Sequence, residues 1–327
     1  MVTRDQQIAA TRVNRSIDWG GRMTGVDVVT GAFGYTGSFI AERLLAGGRQ
    51  VRTLTRRLPD GHPLGGRVEA VPLRFDEEES LIAALRGVDT LYNTYWRRFP
   101  RPGAGFADIV AQSGMLIDAA SKAGVRRVVQ FSVSNAADDA PTSYFRAKAQ
   151  VEQIVRASGI SYAILRPTLL YGPGDILLNN LAWTLRRVPV FGIPGSGDYR
   201  VQPVLVTDVA ELAVRLAETA DDVTVTAAGP ETYRFADLVR LIRDRTRAPA
   251  RIVGVPPLLA LVGSRVIGRM VHDVVLTRDE ITELMTGLLV SAEPATCPAP
   301  VSEWLQAQAN TIGRRYSSEL ARNYRRL

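Results

Sequence analysis

The sequence predicts an α/β protein built on a doubly wound parallel sheet. Short apolar strands alternate with amphipathic helices as far as about residue 170, the pattern of parallel strands covered by helices on both faces. The first strand is predicted at 26–30, and the following helix carries apolar residues at helical spacing over 38–45. Between them lies a glycine-rich turn, GAFGYTG at 31–37, which is typical of nucleotide-binding proteins of this class.

The glycine-rich turn is predicted to hold the diphosphate of a cofactor. Glycine permits a tight turn and close backbone approach, while the free N–H groups and dipole of a helix N-terminus attract phosphate. The spacing is GxxGxxG, a weak signal alone in a chain with 28 glycines and a strong one between a strand and a helix. Gly47-Gly48 is expected to end that helix. The candidate cofactor-binding residues are Gly31, Phe33, Gly34, Tyr35, Thr36 and Gly37.

The end of the second strand, at 50–55, indicates which cofactor is preferred. A site that prefers NAD usually has an acidic residue there, about 20 residues past the glycines, to hold the ribose 2′-hydroxyl. This chain has Arg56 and Arg57 instead, and no carboxylate before Asp60. Because guanidinium groups suit a 2′-phosphate, NADP(H) is favoured over NAD(H). The alternative is that these are two surface arginines among many.

A tyrosine and a lysine stand four residues apart, at Tyr144 and Lys148, in a chain with only two lysines and 38 arginines. At helical spacing both side chains lie on one face and can point into one cleft. A cation beside a phenol lowers the pKa of the phenol, as a general acid working near neutral pH requires. The pair is therefore predicted to be catalytic. The alternative is an ordinary pair on a solvated helix.

These motifs resemble a known family, the two-domain (extended or atypical) short-chain dehydrogenase/reductases, near the NAD(P)-dependent epimerase/dehydratase and NmrA-like groups. The resemblance rests on GAFGYTG at 31–37, YFRAK at 144–148, LRPT at 165–168 and YGPG at 171–174, in that order. It covers about residues 24–235 well and the rest loosely. It implies a Rossmann sheet with a smaller, mainly helical C-terminal substrate domain.

Further site residues are implied by the resemblance alone. Phe75-Asp76 would meet the adenine, Asn93-Thr94 would lie by the cofactor ribose, and Pro167 would pass the nicotinamide. The catalytic serine would follow the fifth strand, 127–131, with Ser134 the better match and Ser132 the fallback. The implied Rossmann domain is 23–173 with 203–228, and the implied substrate domain is 174–202 with 229–327. Residues 174–202 are expected to be loop-rich.

Three segments depart from the family pattern. Gln112 stands near the place of an asparagine that often completes the proton relay, so the relay is in doubt. Residues 135–137 read NAA where the nucleotide-sugar enzymes carry VYG, so a sugar nucleotide is disfavoured as substrate. Tyr95 and Trp96 would instead line an aromatic, partly basic substrate pocket, or would only pack against the substrate domain.

Composition limits the possible functions. One cysteine and two histidines predict neither a disulfide nor a metal site, and favour a reducing cytoplasm. The net charge of +7 does not predict nucleic-acid binding, since most arginines are single residues on polar helix faces. The first 22 residues form a polar extension without the apolar core of a signal peptide. No stretch is apolar enough to span a membrane.

The most apolar window, 255–263, is expected to be a packed helix of the substrate domain, with a membrane-surface or dimer contact as the alternative. We expect an NADPH-dependent oxidoreductase, monomeric or homodimeric, acting on the carbonyl or alcohol of a small organic molecule. The alternatives are an epimerase or dehydratase that holds its cofactor tightly, and a non-catalytic NADPH-binding sensor or assembly protein.

Overall fold

A seven-stranded sheet forms the centre of the first half of the chain. The computed structural model describes residues 25–56, 61–100 and 105–324. The predictions for residues 1–22 and for Arg57 concern residues outside these ranges. Numbered along the chain, the sheet strands are β1 Val26–Val29, β2 Gln50–Thr55, β3 Glu69–Pro72, β4 Val88–Asn93, β5 Arg127–Phe131, β6 Ser161–Pro167 and β11 Val223–Ala227.

The strand order is β11-β6-β5-β4-β1-β2-β3, and the pairs from β6 to β3 are parallel. The direction of strand addition reverses between β1 and β4, so the carboxyl ends of these two strands open the crevice where such sheets bind ligands. All five residues of β5 are buried, as expected for a strand covered on both faces. The predicted doubly wound parallel sheet is confirmed.

Five helices cover this sheet. They are α1 Tyr35–Ala46, α2 Glu78–Leu85, α3 Phe106–Lys122, α4 Ser143–Ala157 and α6 Val206–Ala217. Each of the first four follows a strand, because a parallel strand can be reached only by a crossover. The apolar faces of α2 and α3 pack on the sheet with Leu81, Leu85 and Leu116 in one core. Gly47 ends α1, with its N–H bonded to Arg43 O and Leu44 O, as predicted.

A second core gathers residues from Leu169 to Ile312. Three small strand pairs frame it: β7 Leu169–Tyr171 with β10 Pro203–Leu205, β9 Arg200–Val201 with β12 Tyr233–Arg234, and β8 Val190–Pro194 with β13 Arg251–Val255. Its helices are α5 Leu177–Leu185, α7 Phe235–Thr246, α8 Pro257–Val271, α9 Arg278–Met285 and α10 Val301–Gln308. Residues 174–202 are therefore not loop-rich, because they contain α5 and β8.

The described residues divide into two compact units. The first runs to Arg166 and includes Thr207–Ala227, and the second comprises Pro167–Val206 and the residues from Ala228 onward. Residues 167–173, 203–206 and 228 thus lie in the second unit, whereas the sequence placed them in the first. The physical reason is that β7 and β10 pair with each other. Among the described residues, none of the helices combines the length and apolar character that a membrane crossing requires.

Candidate functional site

The glycine-rich turn connects the end of β1 to the start of α1. Gly31 has a φ of +70°, a conformation that favours glycine, and Gly34 N donates to Gly31 O at 2.8 Å. Gly34 is the N-cap of α1, and no side chain caps this helix end. Tyr35 and Thr36 begin the helix. This helix end without a side-chain cap carries the partial positive charge that attracts an anion.

Gly37 is required by packing rather than by backbone conformation. A Cβ atom there would lie 2.2 Å from Gly31 O and 2.8 Å from Gly31 C, closer than any real side chain allows. The first turn of α1 thus rests directly on the start of the glycine turn. This close approach holds the helix N-terminus against the crevice, which fits a bound diphosphate.

Buried polar side chains link the ends of β1, β4 and β5 below this turn. Thr30 Oγ1 donates to Asn93 Oδ1 at 3.0 Å, and Asn93 Nδ2 donates to Gln130 Oε1 at 2.8 Å. Thr94 N donates to Thr30 Oγ1 at 2.8 Å, and Thr94 Oγ1 bonds to Thr30 O. Asn93 is fully buried, so its side chain holds the strands together, while the partly exposed Thr94 lies at the crevice.

The end of β2 carries Arg56, which is exposed and has no hydrogen bond or ion pair to any other described residue. Beyond the gap, His62 packs edge-on against Phe33 of the glycine turn, with ring centroids 5.0 Å apart. Leu64 N donates to His62 Nδ1 at 3.2 Å, which fixes the orientation of the imidazole. An aromatic pair therefore borders the glycine turn on the side of β2.

The predicted adenine contacts lie after β3. Phe75 packs against Tyr95 with ring centroids 5.2 Å apart, and Asp76 is exposed two residues before α2. The Tyr95 hydroxyl bonds to Gln112 Oε1, so Gln112 holds this tyrosine within the described structure. Tyr95 and Trp96, predicted together as pocket residues, have different hydrogen-bonding environments, because the Trp96 indole N–H is buried without an acceptor among the described residues.

The Trp96 side chain contacts both Tyr144 and Lys148. Its ring lies edge-on to the Tyr144 ring at 5.5 Å and 83°, and the Lys148 Nζ lies 3.9 Å from its centroid. Phe106, the first residue of α3, stacks on the Trp96 ring, with the two ring centroids 5.9 Å apart. Tyr144 and Lys148 lie one turn apart on α4, as the spacing predicted.

Lys148 reaches the carboxyl edge of the sheet. Its Nζ donates to Phe131 O, at the end of β5, at 3.0 Å. Since β1, β4 and β5 are parallel, this is also the edge from which the glycine turn and Thr94 emerge. The side chain is only 4% exposed, and this burial lowers the pKa of Lys148 to about 7, against the opposing charge of Glu152.

The two candidate serines differ in their surroundings. Ser132 Oγ donates to Glu152 Oε1 at 2.5 Å, and Arg166 binds both oxygens of the same carboxylate at 2.8 and 2.6 Å. Arg156 adds a bond at 3.1 Å. Ser132 is therefore part of a buried ion-pair network. Ser134 lies in the turn after β5 and is 1% exposed, and its catalytic role stays a prediction.

Sequence reasoning missed Glu152 and Phe106. Glu152 stands four residues after Lys148 on α4, so helical spacing could have placed it beside the lysine. Phe106 could not have been found, because only the packing of α3 on α4 brings it to Trp96 and Tyr144. Pro167 is the last residue of β6, and its predicted cofactor contact stays a prediction.

A family model described as NAD(P)H-binding matches residues 31–176, the stretch from the glycine turn to the start of α5. Among solved structures, a nucleoside-diphosphate-sugar epimerase from Staphylococcus aureus superposes with a TM-score of 0.68 at 17% identity, covering 86% of this chain and 99% of the epimerase. At this identity the likeness shows the fold.

The curated relatives that this chain matches carry several different names. The mitochondrial NADH dehydrogenase [ubiquinone] 1 alpha subcomplex subunit 9 of Arabidopsis thaliana is 27% identical, over 81% of this chain and 71% of the relative. Sterol demethylase protein B of Methylococcus capsulatus is 29% identical over 71% and 78%, and the ceramide reductase of Caulobacter vibrioides is 26% identical over 71% and 74%. Residues 31–176 thus match an NAD(P)H-binding family on a Rossmann fold, in agreement with the resemblance to the extended short-chain dehydrogenase/reductases that the sequence motifs predict.

Proposed function

We propose that the protein is an NADPH-dependent oxidoreductase that reduces the carbonyl group, or oxidises the alcohol, of an apolar small organic molecule. The observation that carries the proposal is the Lys148 contact with Phe131 O. It brings the Tyr144–Lys148 pair to the sheet edge that also bears the glycine turn. A general acid thereby lies at the edge where such sheets hold a nicotinamide cofactor.

The roles of the side chains follow from their chemistry. In the reductive direction Tyr144 donates its phenolic proton to the carbonyl oxygen, and Ser134 donates a hydrogen bond to the same oxygen. Lys148, when protonated, stabilises the phenolate that remains and hydrogen-bonds the ribose hydroxyls of the cofactor. The bound nicotinamide cofactor supplies the hydride. The α1 N-terminus and the glycine turn hold its diphosphate.

An apolar substrate is supported by the residues around Tyr144. Trp96 and Phe106 present aromatic surface beside the phenol. The indole N–H of Trp96 has no acceptor among the described residues and offers a hydrogen-bond donor beside this aromatic surface, which an oxygen atom of a ligand would satisfy. Two relatives are named for lipids, a sterol and ceramide. Cys297 is buried and forms no disulfide, which fits the cytoplasmic location we expect.

The test of the catalytic role is Tyr144→Phe, with turnover measured on a panel of apolar ketones and aldehydes. Loss of the proton donor should reduce turnover by about 10²–10⁴-fold while NADPH affinity stays nearly unchanged. Tyr162→Phe is the matched control, because Tyr162 packs against the core of the first unit and does not contact Trp96 in the described structure. Full turnover by the Tyr144→Phe protein would disprove the assignment.

The preference for NADPH rests on Arg56 and is tested separately. Arg56→Ala should weaken NADPH binding by about 10- to 100-fold, since a hydrogen bond to a charged group contributes about 1.5–3 kcal/mol. Binding of NADH should not change. Arg86→Ala, at the exposed C-terminal end of α2, is the control. Equal weakening of both cofactors would remove the argument for a 2′-phosphate contact and leave the oxidoreductase proposal intact.

A second candidate is a subunit that binds NAD(P)H without turnover. It is favoured by the Trp96 ring, which covers the Lys148 ammonium that the reaction would use. Isothermal titration with NADPH and a turnover assay on the same sample distinguish the two. Tight binding with no turnover on any substrate favours the second candidate. Cofactor that copurifies and is not consumed, together with isomerised or dehydrated product, favours an epimerase or dehydratase.

A further inference from the structure

The strongly exposed apolar side chains of the second unit are concentrated on one face of α8. Large apolar side chains that are strongly exposed are few among the described residues, and five of the eight lie on this helix: Leu258, Leu259, Val262, Val266 and Met270. Met270 is 74% exposed and Leu258 is 67% exposed. A concentration of this kind marks an interaction surface, whereas single exposed apolar residues are ordinary.

One face of α8 is buried and the opposite face is apolar and exposed. The charged side chains between these two faces are all arginines. Leu261, Ser264 and Gly268, at spacings of three and four, face the second unit. At 100° per residue the five exposed apolar side chains occupy the opposite arc, and Arg265 and Arg269 lie at one edge of it. Both arginines are exposed, and within the described structure neither makes an ion pair.

The charge pattern beside this face favours an anionic partner. No acidic residue occurs from residue 251 to residue 272, and the next one, Asp273, is buried and bonded to Glu319 N and Leu320 N. A second copy of the same face would bring arginines together, and residues 251–272 offer no carboxylate to receive them. Anionic lipid headgroups supply the missing negative charge beside a region that accepts apolar side chains.

The length of the helix agrees with a surface position. Fifteen residues give a helix of about 22 Å, shorter than the ~30 Å hydrocarbon layer of a bilayer. Pro257 at its first turn and His272 at its C-cap, in the left-handed conformation, limit it at both ends. The helix can therefore lie in the interface, with its apolar arc in the acyl region and its arginines among the headgroups.

We propose that α8 docks the protein on the surface of an anionic lipid bilayer. The inference does not depend on the proposed function, because it uses no residue of the candidate cofactor or catalytic site. Flotation of the full-length protein with vesicles tests it. Phosphatidylcholine vesicles that contain phosphatidylglycerol should bind the wild-type protein, whereas vesicles of phosphatidylcholine alone should bind it at least tenfold more weakly.

Two pairs of substitutions separate the apolar and electrostatic contributions. Leu259→Glu with Val266→Glu should reduce vesicle binding more than tenfold, since the apolar arc is lost and repulsion is added. Arg265→Gln with Arg269→Gln should reduce binding to anionic vesicles by about 25-fold, at about fivefold per arginine. The matched controls are Met115→Glu, an exposed residue of α3, and Arg67→Gln with Arg86→Gln, two exposed arginines of the first unit. The controls should bind like the wild type.

Three results would overturn the proposal. One is failure of the wild-type protein to bind anionic vesicles at low salt. Another is equal loss of binding in the control arginine pair, which would show that net charge alone attracts the protein. The third is a dimer in light scattering that Leu259→Glu with Val266→Glu dissociates, which would assign the face to a second copy. An unchanged melting temperature and far-UV circular dichroism spectrum in every variant shows that the fold is intact.

Discussion

The ammonium group of Lys148 lies 3.9 Å from the centroid of the Trp96 ring. The same ammonium group donates to Phe131 O at 3.0 Å, and the side chain is 4% exposed. A cation held against an indole gains about 2 kcal/mol when it is desolvated, less than the several kcal/mol that full burial of an ammonium costs. Burial therefore dominates, and the pKa of Lys148 falls to about 7.

The first prediction concerns stability as a function of pH. Below about pH 7 Lys148 is protonated in the folded and unfolded states, and the burial penalty is constant. Between about 7 and 10.5 only the unfolded chain keeps the proton, so folding is favoured increasingly as pH rises. The free energy of unfolding of the wild type should therefore rise across this window relative to that of Lys148→Met, measured by urea denaturation without cofactor.

The other lysine of the chain provides the control. Lys122 is exposed and bonds to Asp118 and Glu78, which raise its pKa. It stays protonated in both states up to about pH 9.5, one unit below the ordinary lysine pKa, so over that part of the window Lys122→Met should change stability by the same amount at each pH. If the free energy of unfolding depended on pH equally in the wild type and in Lys148→Met, Lys148 would titrate normally and the buried contact would be absent.

A second prediction tests whether the Trp96 ring is the group that keeps water away from Lys148. Trp96→Ala should admit water to Lys148 and raise its pKa towards the ordinary 10.5, because removal of the desolvation outweighs loss of the cation–π contact. Trp96→Phe keeps a ring there and should leave the pKa closer to that of the wild type. With two lysines in the chain, NMR of ¹³C-labelled lysine resolves both titrations. An unchanged midpoint in Trp96→Ala would show that other groups bury the amine.

A third prediction distinguishes the two serines. Ser132→Ala removes a donor to the fully buried Glu152 and should lower the free energy of unfolding by about 1.5–3 kcal/mol, with kcat retained. Ser134→Ala should lower kcat by about 10²-fold, since it removes a donor to the reacting oxygen, and should leave NADPH affinity unchanged. Calorimetric melting and turnover assays measure both effects. The reverse pattern would transfer the catalytic role to Ser132.

A fourth prediction tests the glycine turn. Gly37→Ala places a methyl group 2.2 Å from Gly31 O, so the turn and the first turn of α1 must separate. We expect a loss of about 1–3 kcal/mol in stability and at least tenfold weaker NADPH binding. Gly114→Ala, where the new methyl group meets Ile154 at 3.7 Å in the middle of α3, should instead be neutral or stabilising by about 1 kcal/mol. Equal effects of the two substitutions would contradict the packing argument.

Local patterns in the sequence predicted the first unit well. The strand, glycine turn and helix over 26–46 follow from neighbouring residues, and the Tyr144–Lys148 spacing needs only one helix. The second unit was harder, because its strands are two to five residues long and carry no clear alternation. Helix α5 was missed for a different reason: Pro189, Pro194 and the glycines after it dominated the pattern of residues 174–202, so the whole segment was interpreted as loop.

What the sequence by itself determined is the fold class, the glycine-rich turn between β1 and α1, and the position of Tyr144 and Lys148 one turn apart on α4, since these are encoded in spacing along the chain. Only the tertiary structure decided that Trp96 covers Lys148, that Ser132 belongs to Glu152, and that one face of α8 remains exposed. The physical reason is that the Trp96–Lys148 and Ser132–Glu152 contacts join residues far apart in sequence, brought together when α3 and α4 pack on the sheet. The exposure of a helix face likewise depends on which elements pack against it, and this packing is not encoded in local sequence spacing.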